Sequence, residues 1–157
     1  MALPAIALIA AGCGGGGSGA STTSAGYGAG TAARTAQAPT VGAKKTALGT
    51  ILVDGQGRTL YLFEKDKGTA STCSGACASI WPPLTTDAKT VAGRGLAAGK
   101  LGTVKRSDGK TEVTYAGHPL YTYAGDAKPG DTAGQGVDQF GAEWYVLAPT
   151  GHKIDNG

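Results

Sequence analysis

The residues best suited to chemistry are two cysteines, Cys73 and Cys77, in the segment Ser-Thr-Cys-Ser-Gly-Ala-Cys-Ala. Three residues separate them, whereas thioredoxin-like redox motifs have a two-residue spacing, and no Cys-x-x-Cys-His haem signature occurs. In an oxidising compartment an even pair favours a disulfide, and closing so small a loop contributes only about 2 kcal/mol. The sequence therefore predicts a structural disulfide, with redox activity or metal binding as the alternative.

Two further groups could carry chemistry, an imidazole and a pair of carboxylates. His118 could bind a metal such as copper together with Cys73 or Cys77. Asp66 and Asp126 could act as an acid and base pair, but Asp at a strand end more commonly accepts backbone N–H bonds in the following turn. The chain contains no Gly-x-Ser-x-Gly, no P-loop and no His-Glu-x-x-His. No catalytic residue is therefore predicted, and the chain is more consistent with a non-enzyme.

Both aspartates belong to a motif that occurs twice and reads Tyr-x-aromatic-x-x-Asp. The motif residues are Tyr61, Phe63 and Asp66 in the first copy, and Tyr121, Tyr123 and Asp126 in the second. Each copy is followed, after a Gly-rich interval, by a tryptophan that opens a short apolar run, Trp81 and then Trp144. The two aromatic residues of each motif are two apart and share one face of a strand. This ordered recurrence indicates an internal duplication.

Short alternating runs separated by turn residues predict the elements that position these groups. We expect a hairpin of Leu48–Val53 with Thr59–Phe63 and a second of Leu101–Arg106 with Thr111–Tyr115. Helical periodicity is absent, so the fold class is all-β, a small sandwich or partly open barrel of two tandem repeats. Because each repeat of roughly 40–50 residues is too small to be stable alone, the repeats should pack face to face around a shared aromatic core.

The N-terminal part predicts export followed by a tether. Residues 1–11 are uncharged and mostly apolar, which suits a signal peptide, and they are too short to span a bilayer, which takes roughly 20 residues. Cys13 follows, and residues 14–40 are mostly Gly, Ser, Thr and Ala, a composition that predicts a disordered linker. The predicted domains are a signal peptide at 1–12, a linker at 13–45, a β domain at 46–150 with repeats at about 48–100 and 101–149, and a tail at 151–157.

Charge argues against one class of partner. The net charge is +3, but from residue 46 onward 11 Lys and Arg residues meet 11 Asp and Glu residues. Because nucleic-acid binding leaves a basic footprint on the folded part of a protein, no nucleic-acid partner is expected.

Together these features resemble the secreted-repeat lipoproteins of bacteria. The resemblance rests on Cys13 after an apolar run, which is similar to a lipobox, on the two Tyr-x-aromatic-x-x-Asp copies, and on the Cys-Ser-Gly-Ala-Cys-Ala block followed by Trp-Pro-Pro-Leu. It covers residues 48–149. In that family the signal peptide is cut before the cysteine and the cysteine carries the lipid. The resemblance implies an exported, membrane-anchored protein, but the activity of the family is not established.

We therefore expect a lipoprotein at the extracytoplasmic face of the bacterial cell membrane, held by lipid on Cys13. The leading hypothesis is that it is a non-enzymatic β module without a cofactor. The module would bind an envelope protein, polymer or small ligand through its Gly-rich loop and its cysteine loop. The alternative is an envelope redox or copper-handling protein that uses Cys73, Cys77 and His118.

Overall fold

The computed structural model describes residues 40–156, which contain nine strands and one short α-helix. The predicted signal peptide, Cys13 and the predicted linker before residue 40 lie outside the described residues. The strands are β1 Thr40–Thr46, β2 Gly49–Asp54, β3 Tyr61–Phe63, β4 Val91–Ala92, β5 Leu101–Lys105, β6 Thr111–Tyr115, β7 His118–Pro119, β8 Val137–Gln139 and β9 Ala142–Val146; the helix, α1, is Ala76–Ile80.

The strands form three small sheets, each with three strands. Their orders are β2-β1-β4, β3-β9-β8 and β5-β6-β7, and all neighbours are antiparallel except β1 and β4. The predicted all-β class and the hairpin of β5 with β6 are therefore confirmed. Within the described residues, no helix is long and apolar enough to cross a membrane.

The first predicted hairpin is only partly right, and the predicted linker is too long. β2 pairs along its length with β1, which begins at Thr40 inside the stretch assigned to the linker. The return toward β3 makes one bridge, Val53 with Thr59, and then the chain leaves to pair with β9. The pattern hid β1 because Val41 is its one fully buried side chain, so the segment lacks an apolar alternation.

The predicted tail is also part of the folded domain. Lys153 forms a β-bridge with Leu147, and the amide of Ile154 donates to the carbonyl of Val146 at 2.9 Å. Gly151 takes a positive φ of 92° where the chain reverses between these partners. The last residues thus fold back on the strand that precedes them.

The two repeats exchange segments rather than packing face to face. At the centre, Tyr61 and Tyr121 donate backbone hydrogen bonds to each other's carbonyls at 2.8 and 3.0 Å. The run that begins at Trp144 pairs with β3 of the first repeat, and the run after Trp81 bridges to Tyr121 of the second through Pro83. Each repeat is therefore completed by an extended segment of the other, which explains how two small repeats form one stable domain.

The motif strand of the first repeat separates two hydrophobic clusters. Tyr61 and Phe63 pack with the tryptophans and cysteines on one side, and Leu60 and Leu62 pack with a second cluster on the other. All four side chains are buried, as the apolar character of both strand faces predicts.

Candidate functional site

A continuous stack of four aromatic rings lies at the junction of the repeats. Ring centroids are 4.1 Å apart for Phe63 and Trp144, 4.0 Å for Trp144 and Trp81, and 4.2 Å for Trp81 and Tyr123. The order places one motif aromatic at each end and both tryptophans in the middle, so the stack follows the internal symmetry. The first tyrosine of each motif packs edge-on against an indole, at 5.4 and 5.1 Å, an arrangement that aromatic quadrupoles favour.

The polar ends of the two motifs bond to each other across the repeats. The hydroxyl of Tyr61 donates to Oδ2 of Asp126 at 2.8 Å. The hydroxyl of Tyr121 donates to Oδ2 of Asp66 at 2.7 Å. Burial is the main reason that the pKa of both phenols lies far above the ordinary value of a tyrosine. Burial also raises the pKa of Asp126. The motif thus works as a reciprocal Tyr–Asp latch, the name used below for these two hydrogen bonds.

The second oxygen of each aspartate closes a loop of its own repeat. Oδ1 of Asp66 accepts the backbone amide of Thr72 at 2.8 Å and its hydroxyl at 2.6 Å. Oδ1 of Asp126 accepts the backbone amide of Ala133 at 2.9 Å. Within residues 40–156 no hydrogen bond joins the two carboxyl groups to each other. These contacts give both aspartates the turn-capping role that the sequence favoured.

We expect that Tyr121→Phe and Tyr61→Phe each lower the free energy of unfolding by about 1–2 kcal/mol, because each leaves a partly buried carboxylate oxygen without its donor. Urea unfolding followed by fluorescence measures the loss. Tyr145→Phe is the matched control, since within residues 40–156 the Tyr145 hydroxyl bonds only Glu143 on its own strand, and it should change stability little. Equal losses in all three variants would contradict a latch between repeats.

A buried ionic network adjoins one half of the latch. Nη1 of Arg106 lies 2.8 Å from Oε2 of Glu112, and Nη2 donates to the carbonyl of Cys73 at 2.7 Å. Arg106 also donates to the hydroxyl of Ser71, which lies 2.8 Å from the Tyr121 hydroxyl. The Arg106–Glu112 ion pair, the Ser71 hydroxyl and the Tyr121 phenol therefore form one hydrogen-bond network. The sequence did not indicate it, because an Arg and a Glu on neighbouring strands usually face solvent.

Glu112 is the fully buried acidic residue of this network. Its side chain is fully buried, and Oε1 has no hydrogen-bond partner within the described residues. Burial raises the pKa of Glu112 to about 7, against the opposing effect of Arg106. This carboxyl group therefore titrates near neutral pH in the folded protein.

The predicted disulfide is present. Cys73 and Cys77 are bonded, with their Cα atoms 5.3 Å apart, and the residues are 1% and 6% exposed. Both pack into the aromatic cluster beside Trp81. In this state neither sulfur is a free thiolate, which metal binding or redox attack would require.

His118 lies on β7 and is half-buried, and burial together with nearby His152 lowers the pKa of its imidazole. The acidic groups that act on it are those of Asp66 and Glu64. In the part of the chain that the structure describes, no three His, Cys, Asp or Glu side chains are arranged to hold a metal. The structure thus does not bring His118 into a ligand set with the cysteines.

The Gly-rich segment of residues 129–143, predicted as a loop, contains β8 and the start of β9 and takes part in the core as well as the surface. The amide of Gly134 donates to the Tyr61 hydroxyl at 3.3 Å. A Cβ at this position would lie 2.7 Å from the Trp81 ring, so only glycine fits there. Farther along, the side chain of Gln139 accepts the indole N–H of Trp81 at 2.9 Å.

An open cleft of about 530 Å³ lies at the Tyr123 end of the aromatic stack. Its apolar part includes Tyr123, Pro82 and Pro129, and its polar rim includes Arg58 and Lys128. This volume is within the usual range for small-ligand sites, about 300–1,000 Å³. The sequence identifies Tyr123 as a motif residue. It gives no signal that Tyr123 lines a cleft and that Phe63, at the equivalent position of the first copy, does not.

Comparison with known proteins identifies the repeats but no relative of known activity. A family profile described as a secreted repeat of unknown function matches the chain twice, over residues 42–85 and 102–148. These stretches coincide with the two repeats that exchange strands. No curated protein and no solved structure matches the chain.

Proposed function

The chain belongs to this family of secreted repeats, so its β domain is extracytoplasmic, and we propose that it is a lipid-anchored, non-enzymatic module that binds a cell-envelope ligand. Cys13 supports the anchor, because it follows a short apolar run and precedes a long Gly- and Ser-rich stretch. The cleft beside Tyr123 supports the binding role.

The observation that carries the binding role is the difference between the two motif copies. Phe63 is 2% exposed and closes one end of the aromatic stack inside the protein. Tyr123, at the equivalent position, is only half-buried and lines the cleft. A half-buried aromatic ring held from behind by Trp81 offers a rigid contact surface to a ligand at little cost in conformational entropy.

The polar groups of the motif support a role without catalysis. The Tyr–Asp latch engages both phenols and both carboxylates with each other and with the protein's own loops. A nucleophile or base needs to reach a substrate atom within hydrogen-bond distance, and these groups already have partners inside the domain. The motif therefore serves to join the repeats and to position the cleft.

Mass spectrometry of the full chain purified from its own membranes tests the anchor and the competing copper or redox role. We expect a lipid mass on Cys13, and a β domain two hydrogen atoms lighter than its reduced form with no metal adduct. Cys13→Ser should release the chain from the membrane fraction. Free thiols, or a metal ion lost on denaturation, would overturn the binding hypothesis in favour of the role that uses Cys73, Cys77 and His118.

We expect Tyr123→Ala to weaken binding to isolated cell-envelope polymer about tenfold, because the variant removes the aromatic contact surface of the cleft. Co-sedimentation of the purified full chain with the polymer measures this. Phe140→Ala is the matched control, since Phe140 is 37% exposed but does not line the cleft, and it should bind as the wild type does. Wild-type chain that stays in the supernatant, or equal binding by Tyr123→Ala, would contradict the proposed role.

A further inference from the structure

The polar groups of the cleft beside Tyr123 differ in how many of their hydrogen-bonding atoms remain free to bind a ligand. Its acidic member, Asp126, accepts the Tyr61 hydroxyl on one oxygen and the Ala133 amide on the other. The nearby carboxylate of Asp131 accepts two backbone amides of the same loop. The acceptor capacity of these carboxylates is thus largely used within the protein.

The hydrogen-bond donors of the cleft, by contrast, are only partly used within the protein. Asp54 is 3% exposed and binds Nε of Arg58 at 2.7 Å, while the Arg58 side chain remains 52% exposed. No hydrogen-bond partner for the two terminal nitrogens of Arg58 occurs within residues 40–156. Lys128 is 80% exposed, and its nearest carboxylate oxygen is 3.9 Å away. The cleft therefore presents cationic donors, one of them held in place by a buried carboxylate.

The corresponding region of the first repeat shows that the fold does not create this cleft by itself. There Tyr145 occupies the position that Pro82 has in the other half, and Phe63 is buried. The Nζ atom of Lys153 lies 4.1 Å from the Tyr145 ring centroid and 2.8 Å from the carboxylate of Glu64. The same motif position is thus closed in the first repeat and open to the cleft in the second.

We propose, building on the proposed function, that this cleft binds a saccharide bearing an anionic group, with the anion on Arg58 and the sugar against Tyr123. The planar fork of Arg58 suits two parallel hydrogen bonds to a carboxylate or a phosphate. Lys128 adds a second positive charge at the rim. The apolar side of a sugar ring matches the aromatic and proline surface, and its hydroxyl groups match the polar rim.

Calorimetric titration of the full chain in neutral detergent with four probes tests this assignment. The probes are glucose, glucuronic acid, glucose 6-phosphate and inorganic phosphate. We expect at least one acidic sugar to bind about tenfold or more tightly than glucose, and more tightly than inorganic phosphate. The acid that binds better identifies carboxylate or phosphate as the natural group.

The variant Arg58→Gln should abolish the preference for the acidic sugar, whereas Arg94→Gln, an equal charge change at an exposed site outside the cleft, should retain it. Equal affinity for glucose and both acidic sugars, an unchanged preference in Arg58→Gln, or binding of inorganic phosphate as tight as that of the better acidic sugar would overturn the proposal. Each of these results would leave the polymer-binding test of Tyr123 intact, so the two proposals fail separately.

Discussion

Replacing Arg106 by methionine is expected to lower the free energy of unfolding by about 3–5 kcal/mol, because it leaves a buried acid without its cation. Arg106 is 5% exposed and Glu112 is fully buried, and the two are 2.8 Å apart. The change also removes the donor to the Cys73 carbonyl and the contact with Ser71 that links the pair to the Tyr–Asp latch. Urea unfolding at pH 8 measures the loss.

The loss in this variant should depend on pH in a definite direction. Burial raises the pKa of folded Glu112 from an ordinary 4.5 to about 7, so the folded state favours the protonated acid. The stability that this gives is fully present below about pH 4.5 and is lost as pH rises through about 7. Without Arg106 the ionised form becomes still less favourable, so the cost of Arg106→Met should be larger at pH 8 than at pH 5.

Two controls separate this effect from a general loss of packing. Lys105→Met, at the exposed last residue of β5 and next to Arg106, should change stability by less than about 0.5 kcal/mol. Glu112→Gln should remove the contribution of this group to the pH dependence between pH 5 and 8, because an amide does not titrate there. A cost below about 1 kcal/mol for Arg106→Met, or one independent of pH, would contradict the role of the pair.

Trp81→Ala and Trp144→Ala are each expected to cost about 3–5 kcal/mol, because both indoles are fully buried in the middle of the aromatic stack. The two losses should be similar, since the stack is symmetric about these rings. Because each repeat is completed by an extended segment of the other, neither variant should leave one repeat folded. Both should unfold in one cooperative transition, recorded alike by circular dichroism and by tyrosine fluorescence.

The conservative pair Trp81→Phe and Trp144→Phe provides the comparison for size and aromatic character. Phenylalanine retains a stacking ring but loses the indole donors to Gln139, so each change should cost less than the alanine variant at the same site. If Trp144→Ala instead produced two separate transitions, the repeats would be independent units and the exchange of strands would not hold them together.

Sequence periodicity identified which side chains share one face of a strand, but it could not identify the strand's partner. The spacing of Tyr61 and Phe63 predicts one shared face, and both pack in the same cluster. Their partner strand lies more than 80 residues away at Trp144–Val146, and nothing local distinguishes that pairing from a local hairpin. The same limit explains why the sequence predicts a linker up to residue 45, whereas β1 begins at Thr40, because its partners rather than its own side chains make it a strand.

Some features of the candidate site could likewise be predicted from the sequence, whereas others depend on the tertiary structure. Cysteine spacing was enough to predict the disulfide, because pairing over so short a loop depends on local geometry and redox compartment alone. The buried Arg106–Glu112 pair could not be foreseen, since burial of a charge depends on what surrounds it from distant parts of the chain. The open cleft likewise could not be foreseen, since Phe63 and Tyr123 hold the same motif position and differ only in their tertiary surroundings.

The sequence by itself determined the duplication, the all-β class, the membership of a secreted-repeat family and the short disulfide, because each is recorded in local composition or spacing. Only the tertiary structure decided that the repeats exchange strands and that each tyrosine bonds the aspartate of the other repeat. It also decided that one motif aromatic, Tyr123, reaches a cleft. These features depend on contacts between residues far apart in the chain, where side-chain volume and the need to satisfy buried polar groups select the arrangement.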